Sequence, residues 1–162
     1  MSDMLVKLYN LSDYQVSSGS GIKDRELTIR RALTPEKHII VQWVMKYFSA
    51  YWASECEAAF CRHPVSCFIA ARKGDMAGFC CYDVTCKGFV GPIGVLPSER
   101  GMGIGRTLLQ ASLYDMLNQG YAYAIVGDAG PEEFFTSSSG AFIIEDSKPG
   151  IYREMLRENK SN

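Results

Sequence analysis

At 162 residues and 47% hydrophobic content, the chain has the length of one domain and enough apolar residues to bury roughly 68 to 70% of its unfolded surface. Lys and Arg number 17 against 18 acidic residues, so no bulk field draws the chain to nucleic acid or to anionic lipid, and partner choice falls to a local site. No stretch reaches the ~20 apolar residues of a membrane span, and Met1-Ser2-Asp3-Met4-Leu5-Val6-Lys7 has no basic segment leading into a long apolar run, which makes the cytoplasm the expected location.

Residues 4–9, MLVKLY, read as a short strand, and Ser17-Ser18-Gly19-Ser20-Gly21 reads as a flexible link. Residues 1–26 are therefore expected to be an extra strand and link within a single domain spanning 1–162. Leu27 to Arg31 alternates as a strand, and Thr34-Pro35-Glu36 announces a helix, with Thr34 as cap and Pro35 at the first helical position. Ile39, Ile40, Trp43, Val44, Tyr47 and Phe48 mark its apolar face; a break near Ser49 to Tyr51 precedes a second helix, Ala53 to Cys61. After Pro64, a strand at Ser66 to Ala71, a turn at Lys73-Gly74-Asp75, a strand at Met76 to Val84 and a third at Phe89 to Leu96 predict an antiparallel meander.

The third of these strands contains Gly91, Pro92 and Gly94. Proline donates no ladder hydrogen bond, so the strand is expected to bulge or splay. A glycine-rich turn leads to an amphipathic helix, Ile104 to Gln119, stopped by Gly120. Tyr121 to Val126 returns as a strand, Glu132 to Ser138 as a short helix, and Ala141 to Glu145 and Ile151 to Leu156 as two last strands. The six cysteines, at 56, 61, 67, 80, 81 and 86, contain no CxxC pair, and only His38 and His63 could join them as soft ligands. They read as reduced, mostly buried small hydrophobes, with no metal site expected.

The chemistry concentrates in the turn. Gly101, Gly103 and Gly105 alternate with Arg100, Met102 and Ile104 between a strand and a strong helix, and Arg106 and Thr107 follow. Residues without Cβ let successive backbone N–H groups point into one concavity, and the helix adds its orphan donors and positive dipole end, which together suit phosphate oxygens. Arg100 and Arg106 flank the concavity and can add charge-assisted contacts. A dinucleotide fingerprint fails because Arg106 stands three residues after Gly103, and a Walker loop fails because the spacing is one residue short and Arg replaces Lys.

Val95-Leu96-Pro97-Ser98-Glu99-Arg100-Gly101-Met102-Gly103-Ile104-Gly105 resembles the pyrophosphate turn of the GNAT superfamily of acetyl-CoA-dependent N-acetyltransferases, [RQ]-x-x-G-x-[GA] after a strand ending in Val-x-Pro. The likeness extends over about Leu27 to Leu156 in element order. It implies an α+β fold with a mostly antiparallel central sheet, splayed between the fourth and fifth strands of that fold, and helices on both faces. It also implies acetyl-CoA as cosubstrate, its pantetheine arm along the splayed strand at Gly94, Val95 and Leu96, and its pyrophosphate on Arg100 to Thr107.

By the same resemblance an amine attacks the thioester directly in a ternary complex, with backbone N–H groups around Gly94 to Leu96 stabilising the oxyanion. The position of the family's acidic tyrosine is Phe135 here, within Phe134-Phe135-Thr136-Ser137-Ser138-Ser139-Gly140, so that acid is absent and Phe135 is expected to pack against the cofactor. Water, Ser137, Ser138 or Tyr152 could donate a proton instead. Glu55, Glu57, Asp83, His38 and His63 are the candidate bases; Glu55, Asp83 and Tyr152 form the expected catalytic set. Trp43, Tyr51 and Trp52 are expected in the core, along an acceptor wall, or between two copies in a homodimer. A small amine or amino-acid-like compound is the expected acceptor, and an acyl-CoA-binding sensor or scaffold that has lost catalysis is the alternative suggested by Phe135.

Overall fold

The computed structural model describes residues 1–11 and 26–157; the link expected at Ser17 to Gly21 lies outside the described residues. Strands β2 (Leu27–Arg31), β3 (Cys67–Arg72), β4 (Asp75–Tyr82) and β5 (Val90–Val95) form an antiparallel meander in that order, with β1 (Met4–Lys7) preceding them in the chain. Strand β1 lies between β6 (Tyr123–Val126) and β7 (Phe142–Ile143), antiparallel to both, in a second sheet. Helices α1 (Lys37–Tyr47) and α2 (Ala50–Ala59) run between β2 and β3, α3 (Ile104–Asn118) joins β5 to β6, and α4 (Glu132–Ser139) precedes β7.

The period of two along β4 distributes the core. Phe79 and Cys81 face α1 and α2, packing with Ile40, Val44, Ala53 and Cys56, whereas Cys80 and Tyr82 face α3 and pack with Leu108, Leu109, Leu113 and Met116. Helices therefore cover both faces of the meander, as the fold expectation required. Four of the six cysteines are buried, all six are unpaired, Cys61 is exposed and Cys86 partly so.

Three local expectations change. Thr34 does not cap α1: residues Thr34–Glu36 form a tight 3-10 turn, and the Glu36 carboxylate accepts the Leu33 N–H at 2.8 Å while Arg30 grips the same carboxylate. That carboxylate closes the 3-10 turn and leaves α1 without a side-chain cap, and Arg30 holds it well below the usual carboxylate range, to about 2. Ile39 and Tyr47 are exposed, so the buried stripe of α1 is narrower than its sequence period and consists of Ile40 and Val44. Ile151 to Leu156 is not a strand; Gly150–Tyr152 form a 3-10 turn, begun by Pro149, which has no N–H to offer a ladder, and by Gly150 at φ +63.

The two helices expected on either side of an aromatic corner are present. Ser49 accepts the Trp52 N–H at 3.2 Å and starts α2, and the corner ring of Phe48 stacks on Trp52 at 5.3 Å and meets Phe79 edge-on at 5.7 Å. Gly94 of β5 lies directly beneath. A Cβ there would come within 2.5 Å of Phe48 and 2.9 Å of Phe79, so glycine is required by close approach of the rings and not by backbone freedom.

A polar clasp joins the meander to α3. Arg31 of β2 donates to Asp115 at 2.6 Å and to Tyr82 at 3.2 Å; Tyr82 and Gln119 both donate to the other Asp115 oxygen. Both charged groups are mostly covered, so removing one strands the other. Asp115→Asn is expected to destabilise the protein by about 1–3 kcal/mol, read as a lower urea midpoint with unchanged slope, while the folded variant keeps its ligand-binding properties.

Candidate active site

The glycine turn closes onto α3 as its sequence demands. A 3-10 turn at Pro97–Glu99 brings the chain off β5, and Glu99 is anchored by Arg72 at 2.9 Å. Gly101 and Gly103 then adopt φ +82 and +80, left-handed values that β-branched or bulky residues resist. A Cβ at either would meet nothing within 4 Å, so space lies open in front of the turn. Gly103 stands at the amino end of α3 without a side-chain cap; Thr107 N–H makes the first helical bond to its carbonyl. The preceding N–H groups of the first turn are thus presented to that space with the positive end of the helix dipole behind them.

The space is a cleft of about 1430 Å³ between the diverging ends of β5 and β6. The bridge between them lies just ahead of β5 and late in β6, where Phe89 pairs with Ile125 and the Ile125 N–H donates to Gly88 at 2.8 Å. One extra residue in β5 accompanies the parting: Cys80 pairs with Ile93 but Tyr82 with Val90, a bulge around Gly91 and Pro92. Further along, Leu96 N–H donates to Ala77 at 3.0 Å, towards β4. Antiparallel geometry then turns Gly94 to β4 as well and directs the backbone groups of Ile93 and Val95 to the open side. Of the three strand positions expected around the thioester, Val95 is the one with its N–H on the cleft side.

Gly94, Val95, Arg100, Gly101, Gly103, Ile104, Gly105, Arg106 and Phe135 line the cleft; Leu96, Met102 and Thr107 do not. Ile104 is a core side chain, so only its backbone can serve a ligand. Arg100 Nε folds back on the Val95 carbonyl at 3.2 Å, tying the turn to the strand it follows. Gly105 passes 3.4 Å, at the Cβ position, from the ring of Phe134, and Phe134 meets Phe135 edge-on at 5.0 Å. Phe135 is buried and without a hydroxyl, Ser138 is buried beside the cleft, and Ser137 turns its hydroxyl to the Phe134 carbonyl.

At the other end Glu55 of α2, Thr85 and Tyr152 converge. The Thr85 hydroxyl donates to the Glu55 carboxylate and hydrogen-bonds Tyr152. Burial raises the Glu55 carboxyl above its ordinary range, an effect that the Thr85 bond partly offsets. Burial and then the neighbouring Glu55 charge push the Tyr152 phenol up to about 12. Its oxygen would stand 2.9 Å from a Cβ on Gly127, so residue 127 must stay bare for the ring to enter. Glu154 adds a carboxylate to this end, and Asp128 another that is paired with the Met1 amino group. Asp3, buried under the loop, accepts the Asp128 N–H at 2.8 Å and fixes that segment after β6.

Asp83 departs from its expected place. Its side chain is fully enclosed outside the cleft, at φ +56, accepting the Gly88 N–H at 2.6 Å and the Tyr121 hydroxyl while pairing with Arg62 at 3.0 Å. A carboxylate consumed by three donors organises the turn between β4 and β5 and has no lone pair turned to a substrate. Glu57 pairs with Lys37 on the surface, and His38 and His63 are exposed away from the cleft. Tyr51 and Trp52 form part of the cleft wall, while Trp43 packs on Phe48 and Phe79. Thr85 and Asp3 were not foreseeable as site residues: a lone loop threonine carries no titration signal, and Asp3 meets Asp128 only through tertiary folding.

Among the described residues no helix is long and apolar enough to cross a membrane. No curated protein matches the chain. In fold, it is similar to a GCN5-related glucosamine N-acetyltransferase region of a fungal multi-domain GH3 β-N-acetylglucosaminidase (15% identity, TM-score 0.69, 88% of this chain and 19% of that one). It is also similar to a GCN5-related N-acetyltransferase from Sphaerobacter thermophilus (18%, 0.61, 88% and 48%) and to a GNAT family acetyltransferase from Brucella melitensis in complex with acetyl-CoA (21%, 0.50, 69% and 82%). The chain thus spans about a fifth and about half of the length of the first two. The family model for acetyltransferases of the GNAT type matches residues 37–132, more than half of the sequence and the whole stretch from α1 to the start of α4. The chain belongs to the acetyltransferase (GNAT) family, acyltransferases that take their acyl group from acetyl-CoA.

Proposed function

We propose that the protein is an N-acetyltransferase that moves an acetyl group from acetyl-CoA to a primary amine by direct attack within a ternary complex. The observation that carries this reading is the opposed polarity of one cleft: an uncapped helix amino end with Arg100 and Arg106 at one end, and the carboxylates of Glu55 and Glu154 at the other. The first end suits an anionic pyrophosphate and the second a cationic ammonium. The Brucella melitensis relative was solved with acetyl-CoA, which supports the choice of donor. The same reading takes residues 1–162 as one catalytic domain, with β1 built into its second sheet.

Acetyl-CoA supplies an activated thioester; the chain supplies position and charge. The N–H groups of Gly103 to Arg106 would hold the pyrophosphate, and the outward backbone of Ile93 and Val95 the pantetheine amides. Val95 N–H is the donor suited to charge developing on the thioester oxygen. Glu55, raised in pKa and in the cleft, is the base for the ammonium. Tyr152 stays protonated at neutral pH, since its phenol titrates near 12. It can donate a hydrogen bond to the departing sulfur, but full transfer to a thiolate with a pKa of about 8.5 is uphill, so water completes the protonation. The buried Phe135 leaves the sensor reading with one observation in its favour: the position on α4 where the resemblance puts an acidic phenol holds a ring without a hydroxyl.

Gly103→Asp and Gly103→Asn separate charge from backbone strain, since both side chains tolerate φ +80 and neither meets a clash. Coenzyme A affinity measured by calorimetry is expected to fall by about tenfold or more in the Asp variant and much less in the Asn variant; equal affinities would remove the pyrophosphate from this turn. Glu55→Gln is expected to lower kcat/KM with an amine panel by about 10²-fold or more. In the unsubstituted enzyme the rate falls as pH drops through the Glu55 pKa and the base is neutralised. Because burial raises that pKa, the acid limb should lie above the ordinary carboxylate range, and it should vanish in Glu55→Gln. Coenzyme A binding without thiol release across amines, polyamines and peptides would favour the sensor.

A further inference from the structure

Away from the cleft, the sulfurs of Cys56, Cys67 and Cys81 lie within 4.8 Å of one another. They come from three elements. Cys67 and Cys81 stand directly opposite across β3 and β4, on the sheet face that α2 covers, and Cys56 descends from α2 onto them. All three are wholly buried. Cys80, equally buried, points to the other face, where Ser112 is its side-chain partner; it is the solitary core cysteine with which the cluster contrasts.

We propose that Cys56, Cys67 and Cys81 form a binding site for a trivalent thiophilic metalloid, with arsenite as the simplest soluble ligand. Sulfurs held at about 2.3 Å by one ion, at the roughly 95° angles of a pyramid with a lone pair at its apex, stand about 3.4 Å apart, so closing the cluster asks any pair to approach by at most about 1.4 Å from the observed limit. Charge selects the ligand. The polar groups that act on the three sulfurs are one another, the Phe68 carbonyl, Cys80 and the carboxylate of Glu57, and none of these is a cation. Three thiolates around zinc would leave one net negative charge in this apolar interior, and around copper(I) two, each costly without a counterion. Around trivalent arsenic they leave none.

The exchange balances without an oxidant or reductant. Each thiol proton joins a hydroxide of As(OH)₃ and leaves as water, so three As–O and three S–H bonds give three As–S bonds, and arsenic keeps its oxidation state and its lone pair. Entry requires local opening of α2, the one helix among the three elements. Once closed, the site would staple α2 to both strands next to Glu55, the neighbour of Cys56 in the sequence.

Arsenite titrated into the reduced full chain and followed by native mass spectrometry should give one arsenic per chain with loss of three hydrogens, and arsenic X-ray absorption should show three sulfurs and no oxygen. The thermal midpoint should rise. Cys56→Ser, Cys67→Ser and Cys81→Ser should each abolish the three-hydrogen adduct, while Cys80→Ala and the pair Cys61→Ser with Cys86→Ser should retain it. Absence of the adduct on the folded chain, oxygen in the arsenic shell, persistence of the adduct in a Cys67→Ser chain or preferential binding of zinc would each overturn the proposal. Should the serine variants fail to fold, the stoichiometry and the absorption spectrum of the unsubstituted chain still decide it.

Discussion

The structure depends on β5 being paired on one side only beyond its first residues. A sheet edge inside a protein normally acquires a neighbour or a cover, because unpaired backbone groups cost free energy. Here β6 meets β5 at Phe89 and Gly88 and then leaves it, and the bulge at Gly91 and Pro92 turns the strand as they part. The backbone of Ile93 and Val95 faces a cleft in consequence. The exposed ladder is of the kind that a ligand with amides along its length can complete. The helix that follows places its amino end at the same mouth, so one short segment supplies both the edge and the anion cradle.

The aromatic corner keeps the opening in shape. Phe48 lies on Gly94 and against Trp52 and Phe79, so the bend between α1 and α2 is wedged onto the middle of β5. Because Ser49 starts α2 at that bend, the direction of α2, and with it the place of Glu55, is set by contact with the strand that faces the cleft. Glu55 and the open edge of β5 are in this way parts of one packed unit.

Much of this was legible in the sequence, for physical reasons that differ by region. The meander from β2 to β5 and the turn into α3 follow from local signals: alternation, a Lys-Gly-Asp hairpin, and glycines at positive φ before an apolar helix. Glycine and proline inside β5 announced its distortion, because few residues have so narrow a set of reasons to be there. What depended on distant partners was not legible. Asp83 looked like a free carboxylate at a strand end until Arg62, Tyr121 and Gly88 closed on it. Thr85 gained importance only by lying between Glu55 and Tyr152, and Ile151 to Leu156, apolar enough to read as a strand, found no ladder to join.

Strand β1 has a consequence for how the molecule is made. Residues 4–7 pair with residues 123–126 on one side and with 142–143 on the other, so the second sheet joins segments that lie far apart in the chain. The meander and α3 can assemble from contiguous chain, whereas β1 must wait, its apolar Met4 and Val6 uncovered, until β6 has left the ribosome. The wall of the cleft formed by β6 therefore closes after the meander and α3, so a nascent chain holds the glycine turn before it holds a complete cleft.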